Sequence, residues 1–291
     1  EVWENSLLSV ELTKMMISFQ IVLDILENVS QRGKLLDNCW QRGKAQYNFI
    51  DVYIETNKEE SIRWIEIRGH HLYLNHTPVN ISETFQKRLS EYNAISIFTS
   101  ATLAINDDFD YYSGQLGLEE CQTHVWNSPF DYQKQTCLYV PLDLPDPNQF
   151  KYFDAFIERT IKLLSYSEGH AFILFTSHQA LKKSANILSK KIKYPILIQG
   201  QTPRSELLNQ FRDTEHAVLL GTSSFWEGVD VKGEALSLVV IDKLPFASPD
   251  DPVLQARLNH YSKKGMNPFM DYQVPQAAIG LKQGVGRLIR D

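Results

Sequence analysis

The chain has 291 residues, 43% of them hydrophobic and 22% charged, enough for one full domain and part of a second. Its formal net charge of −6 argues against a protein that coats duplex DNA by blanket phosphate neutralisation. It does not exclude a motor that holds one strand in a narrow groove with amides, hydroxyls and a few cations.

No apolar run approaches the roughly 20 residues of a membrane span, so no membrane role is expected. The opening EVWENSLLSV has neither a Met nor a signal-peptide pattern, and the chain reads as an excised or processed piece. Cys39, Cys121 and Cys137 are too scattered for a disulfide framework or a cysteine metal site, which makes a reducing cytoplasm the default expectation.

In chain order, Leu8, Leu12, Met15, Phe19, Val22, Leu26 and Val29 recur in steps of four and three, with Met16 and Leu23 widening the stripe. With Gly33 and Gly43 as the breakers before about Tyr53, this predicts two helices packed as a hairpin. Ile62–Ile67 and His71–Asn75, joined at Arg68-Gly69, predict a β-hairpin. Its His70, His71 and His76 have no carboxylate at ligand spacing, and no metal site is predicted. Ser82 is expected to cap a short helix with Phe85 and Leu89 on its inner face.

From Ala94 the rhythm changes. AISIF, CLYVPL, AFILFTS, PILIQG, AVLLGT and LSLVVID read as short buried strands. They alternate with helical stretches at Tyr152–Ser165, His178–Lys191 and Ser205–Arg212. This predicts an α/β fold with a parallel sheet and helices on both faces, its ligands bound at the carboxyl ends of the strands. DLPDPN (Asp143–Asn148) reads as a rigid connection. Lys182, Lys183, Lys190, Lys191 and Lys193 read as a solvated face, and Asp251 with Asp250 as a helix start before Val253.

Three segments concentrate the polar chemistry: Thr99-Ser100-Ala101-Thr102-Leu103, Gly221 to Asp230, and Gln283 to Arg290. In the last, Gln283, Arg287 and Arg290 fall on one helical stripe, while Ala277, Ala278, Leu281, Val285 and Leu288 can pack the other side. Two guanidiniums with little acid nearby suit phosphate oxygens, and an arginine on a transferring phosphoryl group is worth roughly 10³–10⁵ in rate in other systems. Thr222, Ser223 and Ser224 either cap a helix or, with its amides, hold a DNA phosphate. Ser177 and His178 carry the same pair of readings. Trp226 and Phe225 either stack on bases or fill the core.

QGVGRLIR resembles the QxxGRxxR segment of superfamily 2 helicases. GTSSFWEGVD, TSATL, AFILFTS, SPFDYQKQ and LPFASPDDP resemble passages of their DinG/XPD-like branch, in the wording of bacterial YoaA-type members. The resemblance implies a RecA-like parallel sheet as second motor domain over 106–291, truncated at its C-terminus. It implies a closing piece of the first motor domain over 61–105 and a helical arch-derived segment over 1–60. It implies part of an ATP-dependent DNA helicase, travelling 5′ to 3′ on single-stranded or forked DNA in repair or replication restart, with a replication or repair protein as a further partner.

Residue by residue, the resemblance makes Arg287, Arg290 and Gln283 catalytic. It puts Gly228, Asp230, Glu227 and Gly286 at the nucleotide, and Thr222, Ser223, Ser177, His178, Ser100, Thr102 and Trp226 at DNA. The chain has no GxxxxGK[ST] phosphate loop and no Asp-Glu-x-His box. ATP and Mg²⁺ are therefore expected mainly on an upstream first domain, as is any 4Fe-4S cluster, and this chain alone is expected to be inactive. The competing reading is a non-catalytic module that binds single-stranded DNA or a protein partner. A nuclease on the same fold would need an acidic cluster that the sequence lacks.

Overall fold

In the computed structural model, which describes residues 6–55, 61–92, 94–118, 120–222, 225, 231, 235–286 and 288, the first apolar stripe forms helix α1 (Leu7–Ser30). Ser6 caps it by accepting from the Ser9 amide at 3.2 Å. The buried line runs through Leu12, Met16 and Leu23, whereas Met15 and Val22, expected on the inner face, point outward. Helix α2 (Lys34–Glu55) returns against α1 as the predicted hairpin. A Cβ at Gly43 would come within 2.8 Å of the Leu23 side chain, so the two helices meet closely there.

Strands β1 (Ser61–Arg68) and β2 (His71–Pro78) pair antiparallel around Gly69, at φ 59°. The Arg63 guanidinium donates to the carbonyls of Tyr53 and Ile54 at 3.0 and 2.7 Å, satisfying acceptors that the end of α2 leaves open. Helix α3 (Ser82–Glu91) follows. Ser82 sits in its first turn, not at its cap, and Asn80 Oδ1 accepts from the Ser82 amide at 2.9 Å. The chain divides into two units, Glu1–Thr84 with Pro249–Lys264, and Phe85–Ser248 with Gly265–Asp291.

After α3 the second unit runs on through irregular chain and two short helices, α4 (Asp110–Leu116) and α5 (Tyr132–Gln135). Two expected strands are overturned here. AISIF and CLYVPL lie outside any strand, and Ile95 and Leu142 are each 94% exposed. An apolar, β-branched run becomes a strand only where a neighbour takes its backbone groups, and among the described residues none does.

Helix α6 (Tyr152–Tyr166), β3 (Ala171–Leu174), α7 (His178–Lys191), β4 (Ile196–Ile198), α8 (Arg204–Asp213), β5 (Val218–Gly221) and β6 (Leu238–Ile241) form the α/β core. All four strands are parallel, in the order β4-β5-β3-β6. Successive side chains of β3 point to opposite faces. Ala171, Ile173 and the following Phe175 pack with Phe156, Ile157 and Leu164 of α6 and Leu181 and Leu188 of α7. Phe172 and Leu174 pack the other way, against Leu207, Leu208 and Phe211 of α8. Both faces are covered, as the apolar runs required.

Helix α9 (Pro252–Lys263) belongs to the first unit and packs on β1. Asp251 caps it, accepting from the Val253 and Leu254 amides at 2.7 and 3.1 Å, as predicted. A π-helical turn (Phe269–Gln273) leads into α10 (Val274–Val285) in the second unit. Leu281 and Leu288 rest on the second face of the sheet, whereas Val285, expected to pack, is exposed.

Gly169 links α6 to β3 at φ 85°, and a Cβ there would sit 2.0 Å from the carbonyl oxygen of His216. Both backbone conformation and space demand glycine. Gly169→Ala is expected to cost about 2–3 kcal/mol, read as a lowered urea midpoint at unchanged slope. A midpoint unmoved by the change would show that this corner can relax.

Candidate functional site

The carboxyl ends of parallel strands are where backbone donors and loop side chains converge. Here a polar residue follows each strand within two positions, and these residues form two hydrogen-bonded groups, one after β4 and β5 and one after β3 and β6. After β4, Gln199 Oε1 accepts from the Thr222 amide at 2.6 Å and from its hydroxyl at 3.1 Å. Thr222, just after β5, lies 3.5 Å through Oγ1 from His178 Nε2. Since the Thr222 proton goes to Gln199, the network assigns the Nε2–H tautomer to His178 in that contact.

Ser177, after β3, caps α7 by accepting from the Ala180 amide at 3.1 Å. Its hydroxyl therefore keeps its own proton to donate outward. Ser177 and His178 are exposed, whereas Thr222 is buried. After β6, Asp242 accepts from the Thr176 amide at 2.9 Å and the Thr176 hydroxyl at 3.3 Å. The Asp242 amide donates to Leu174 O at 3.1 Å, and the Tyr152 hydroxyl donates to the Asp242 carbonyl.

Gln199, Thr176 and Asp242 went unnoticed in the sequence, although a signal was present. Gln199 and Asp242 are each the first strongly polar side chain after an apolar strand run.

A second cluster forms at the end of α10. Gln283 Nε2 donates to Thr102 Oγ1 at 3.4 Å, and Ser100 Oγ lies 3.3 Å from Thr102 Oγ1. Lys282 Nζ donates to the Ala104 carbonyl at 3.0 Å. The fold thus brings together Gln283, Thr102 and Ser100, which the sequence placed in two separate motifs. Gly286 caps α10, its amide donating to Lys282 O at 2.9 Å. The helix ends at Val285. Arg287, Arg290, Ser223, Ser224, Trp226, Glu227, Gly228 and Asp230 lie outside the described residues.

Phe225 takes the core reading: it is buried on the second face of the sheet, with the Arg204 guanidinium over its ring at 5.6 Å. Lys183 lies over the Phe153 ring at 3.9 Å, so part of the lysine face packs locally.

The family model for the helicase C-terminal domain matches residues 160–291, from the middle of α6 through the glutamine–arginine segment. Over those residues the chain is similar to helicase C-terminal domains.

The chain is similar to the ATP-dependent DNA helicase YoaA of Haemophilus influenzae, at 40% identity over 92% of this chain and 42% of that protein. It is also similar to YoaA of Escherichia coli, at 38% over 94% and 43%. It spans about two fifths of the length of these curated relatives. A solved structure of apo XPD superposes with a TM-score of 0.57 at 18% identity, over 92% of this chain and 55% of that one. The resemblance expected from the motifs is borne out, and so is the RecA-like α/β fold of the helicase C-terminal domain.

Burial pushes the Asp242 carboxyl up to about 6, against the hydrogen bonds from Thr176 and the Lys243 amide and the nearby Lys243 charge, which favour the ionised form. The folded value lies above the ordinary 3.8, so the folded state binds the extra proton and ionisation costs stability. Stability contributed by this group is therefore fully present below pH 3.8 and lost as pH rises through about 6, by at most about 3 kcal/mol. The difference in unfolding free energy between the parent chain and Asp242→Asn should change across that window and be flat above it. A difference constant from pH 4 to 8 would show that Asp242 is not held in this environment.

Proposed function

We propose that the chain supplies the second motor domain of a DinG/YoaA-type DNA helicase, with residues 106–291 as the motor body. Residues 61–105 close the first motor domain and 1–60 end its arch insertion. The observation that carries this reading is the pair of polar groups at the carboxyl edge of the sheet, next to the exposed start of α7.

Phosphate oxygens only accept, so a strand needs donors. In this reading the Ser177 hydroxyl and the first amides of α7 hold a DNA phosphate, and the His178 ring, whose Nε2–H is turned to Thr222, packs against the strand beside them. Thr222, whose proton serves Gln199, supports them from beneath. Ser223 and Trp226 extend the grip after β5, and Ser100 and Thr102 do so beside α10.

Arg287 and Arg290 reach the phosphates of a nucleotide held mainly by the upstream domain, and Gln283 sits at the junction with Thr102. Glu227, Gly228, Asp230 and Gly286 line the nucleotide's near side. The nucleotide supplies the phosphoryl bond whose hydrolysis drives the cycle; this chain's residues sense its charge and trade that for grip on the strand. Among the described residues no group of three or more His, Cys, Asp or Glu could hold a metal, so no step is assigned to Mg²⁺ or an iron–sulfur cluster in this chain. Travel 5′ to 3′ on forked or single-stranded DNA, in repair or restart, belongs to the same proposal, as does recruitment by a replication or repair protein.

The test joins the chain to a first motor domain of this family and measures DNA-stimulated ATPase. Arg287→Ala is expected to lower turnover at least about a hundredfold while single-strand binding stays within about twofold. ATPase unchanged by Arg287→Ala would sink the arginine assignment. Strand binding without any ATPase in the joined protein would favour the non-catalytic binding module.

A further inference from the structure

We propose that Asp242 is a positioning residue for the DNA grip, fixing Ser177 and His178 by clamping Thr176 through both its amide and its hydroxyl. The proposal rests on the reading above in which Ser177 and His178 contact the strand.

A strand-to-helix turn at a sheet edge has several ways to leave β3, and nothing in Thr176-Ser177-His178 alone selects one. Three bonds select it here. Phe175 N donates to Gly221 O at 2.8 Å, which extends the ladder one residue beyond β3. Asp242 Oδ1 then takes the Thr176 amide and Oδ2 its hydroxyl, at 2.9 and 3.3 Å. Directly after this two-point clamp, Ser177 starts α7.

The clamp is itself braced. Asp242 is 7% exposed, its amide is bound to Leu174 O, and its carbonyl takes the Tyr152 hydroxyl. Lys243, next in the chain, reaches Pro147 O at 3.0 Å and lies over the Tyr152 ring at 5.6 Å. Tyr152, Phe156, Phe175 and Asp242 are among the residues lining a small cavity of about 100 Å³. A buried carboxylate costs stability, and this one turns both oxygens to Thr176, with the Lys243 amide as a further donor. An apolar residue in its place would serve the core better but would leave Thr176 unheld.

The chain is assayed with a fluorescein-labelled oligo-dT by anisotropy, with hydrogen exchange followed alongside. Asp242→Ala is expected to weaken oligo-dT binding about tenfold and to speed exchange at the amides of 177–180 while β3 and β5 stay protected. Asp242→Asn, whose Oδ1 can still accept the Thr176 amide and whose Nδ2 can donate to the hydroxyl, restores binding to within about twofold. Thr176→Val removes one arm only and weakens binding about threefold, which keeps the question open to measurement should Asp242→Ala not fold. The double change Ser177→Ala with His178→Ala tests the underlying grip. If the double change lowers affinity but both Asp242→Ala and Thr176→Val leave it intact, the clamp is refuted and the grip stands. If the double change itself binds like the parent, the grip reading falls and the clamp with it.

Discussion

The second unit depends on one constraint: β3 is buried on both faces. Ala171 to Phe175 are fully inaccessible, and consecutive side chains serve two separate clusters. A strand of this kind needs neighbours on both sides for its backbone and helices above and below for its side chains. β5 and β6 supply the first, α6, α7 and α8 the second. Burying each large side chain is worth about 1.5–3 kcal/mol, so no exposed edge interaction competes with this arrangement. Parallel strands in one layer then align their carboxyl ends. The residues that follow the apolar runs, whatever their individual preference, arrive at one edge.

That geometry explains how much was legible in the sequence. The helices of the hairpin, the β-hairpin, α6, α7 and α8 follow from periodicity and the four paired strands from short apolar runs, because each carries enough apolar residues to mark its own place in a core. AISIF and CLYVPL carry the same signal and fail, since a strand is a relation between two segments and sequence pattern shows only one of them. On α1 the error is smaller. The stripe is wide enough that Met15 and Met16 compete for the inner face, and packing against α2 chooses Met16. Residue type alone could not decide between neighbours of equal hydrophobicity.

The candidate site divides along the same line. Its motifs were visible because hydroxyls, glycines and arginines cluster in short segments. Their mutual contacts were not: Gln283 and Thr102 are 181 positions apart, and Asp242 and Thr176 are 66 apart. Gln199 and Asp242 look like ordinary loop residues, since a single polar side chain after a strand is what any turn requires. Only the order β4-β5-β3-β6 shows that Gln199 stands beside Thr222, and Asp242 beside Thr176.

Hydrogen-bond direction decides which of these hydroxyls keeps a proton to offer outside the protein. A hydroxyl has one proton. Thr222 commits its proton to Gln199 Oε1, which also takes the Thr222 amide, so both donors of that residue are consumed inside the protein. Ser177 does the opposite, because as a helix cap it accepts from Ala180 and keeps its proton. Equal side-chain chemistry on adjacent strands thus yields one inward and one outward hydroxyl, and the difference arises from the partner each loop supplies. For an acceptor-only ligand, the outward donor at the start of α7 is the useful one, and the buried threonine serves as the floor on which His178 rests.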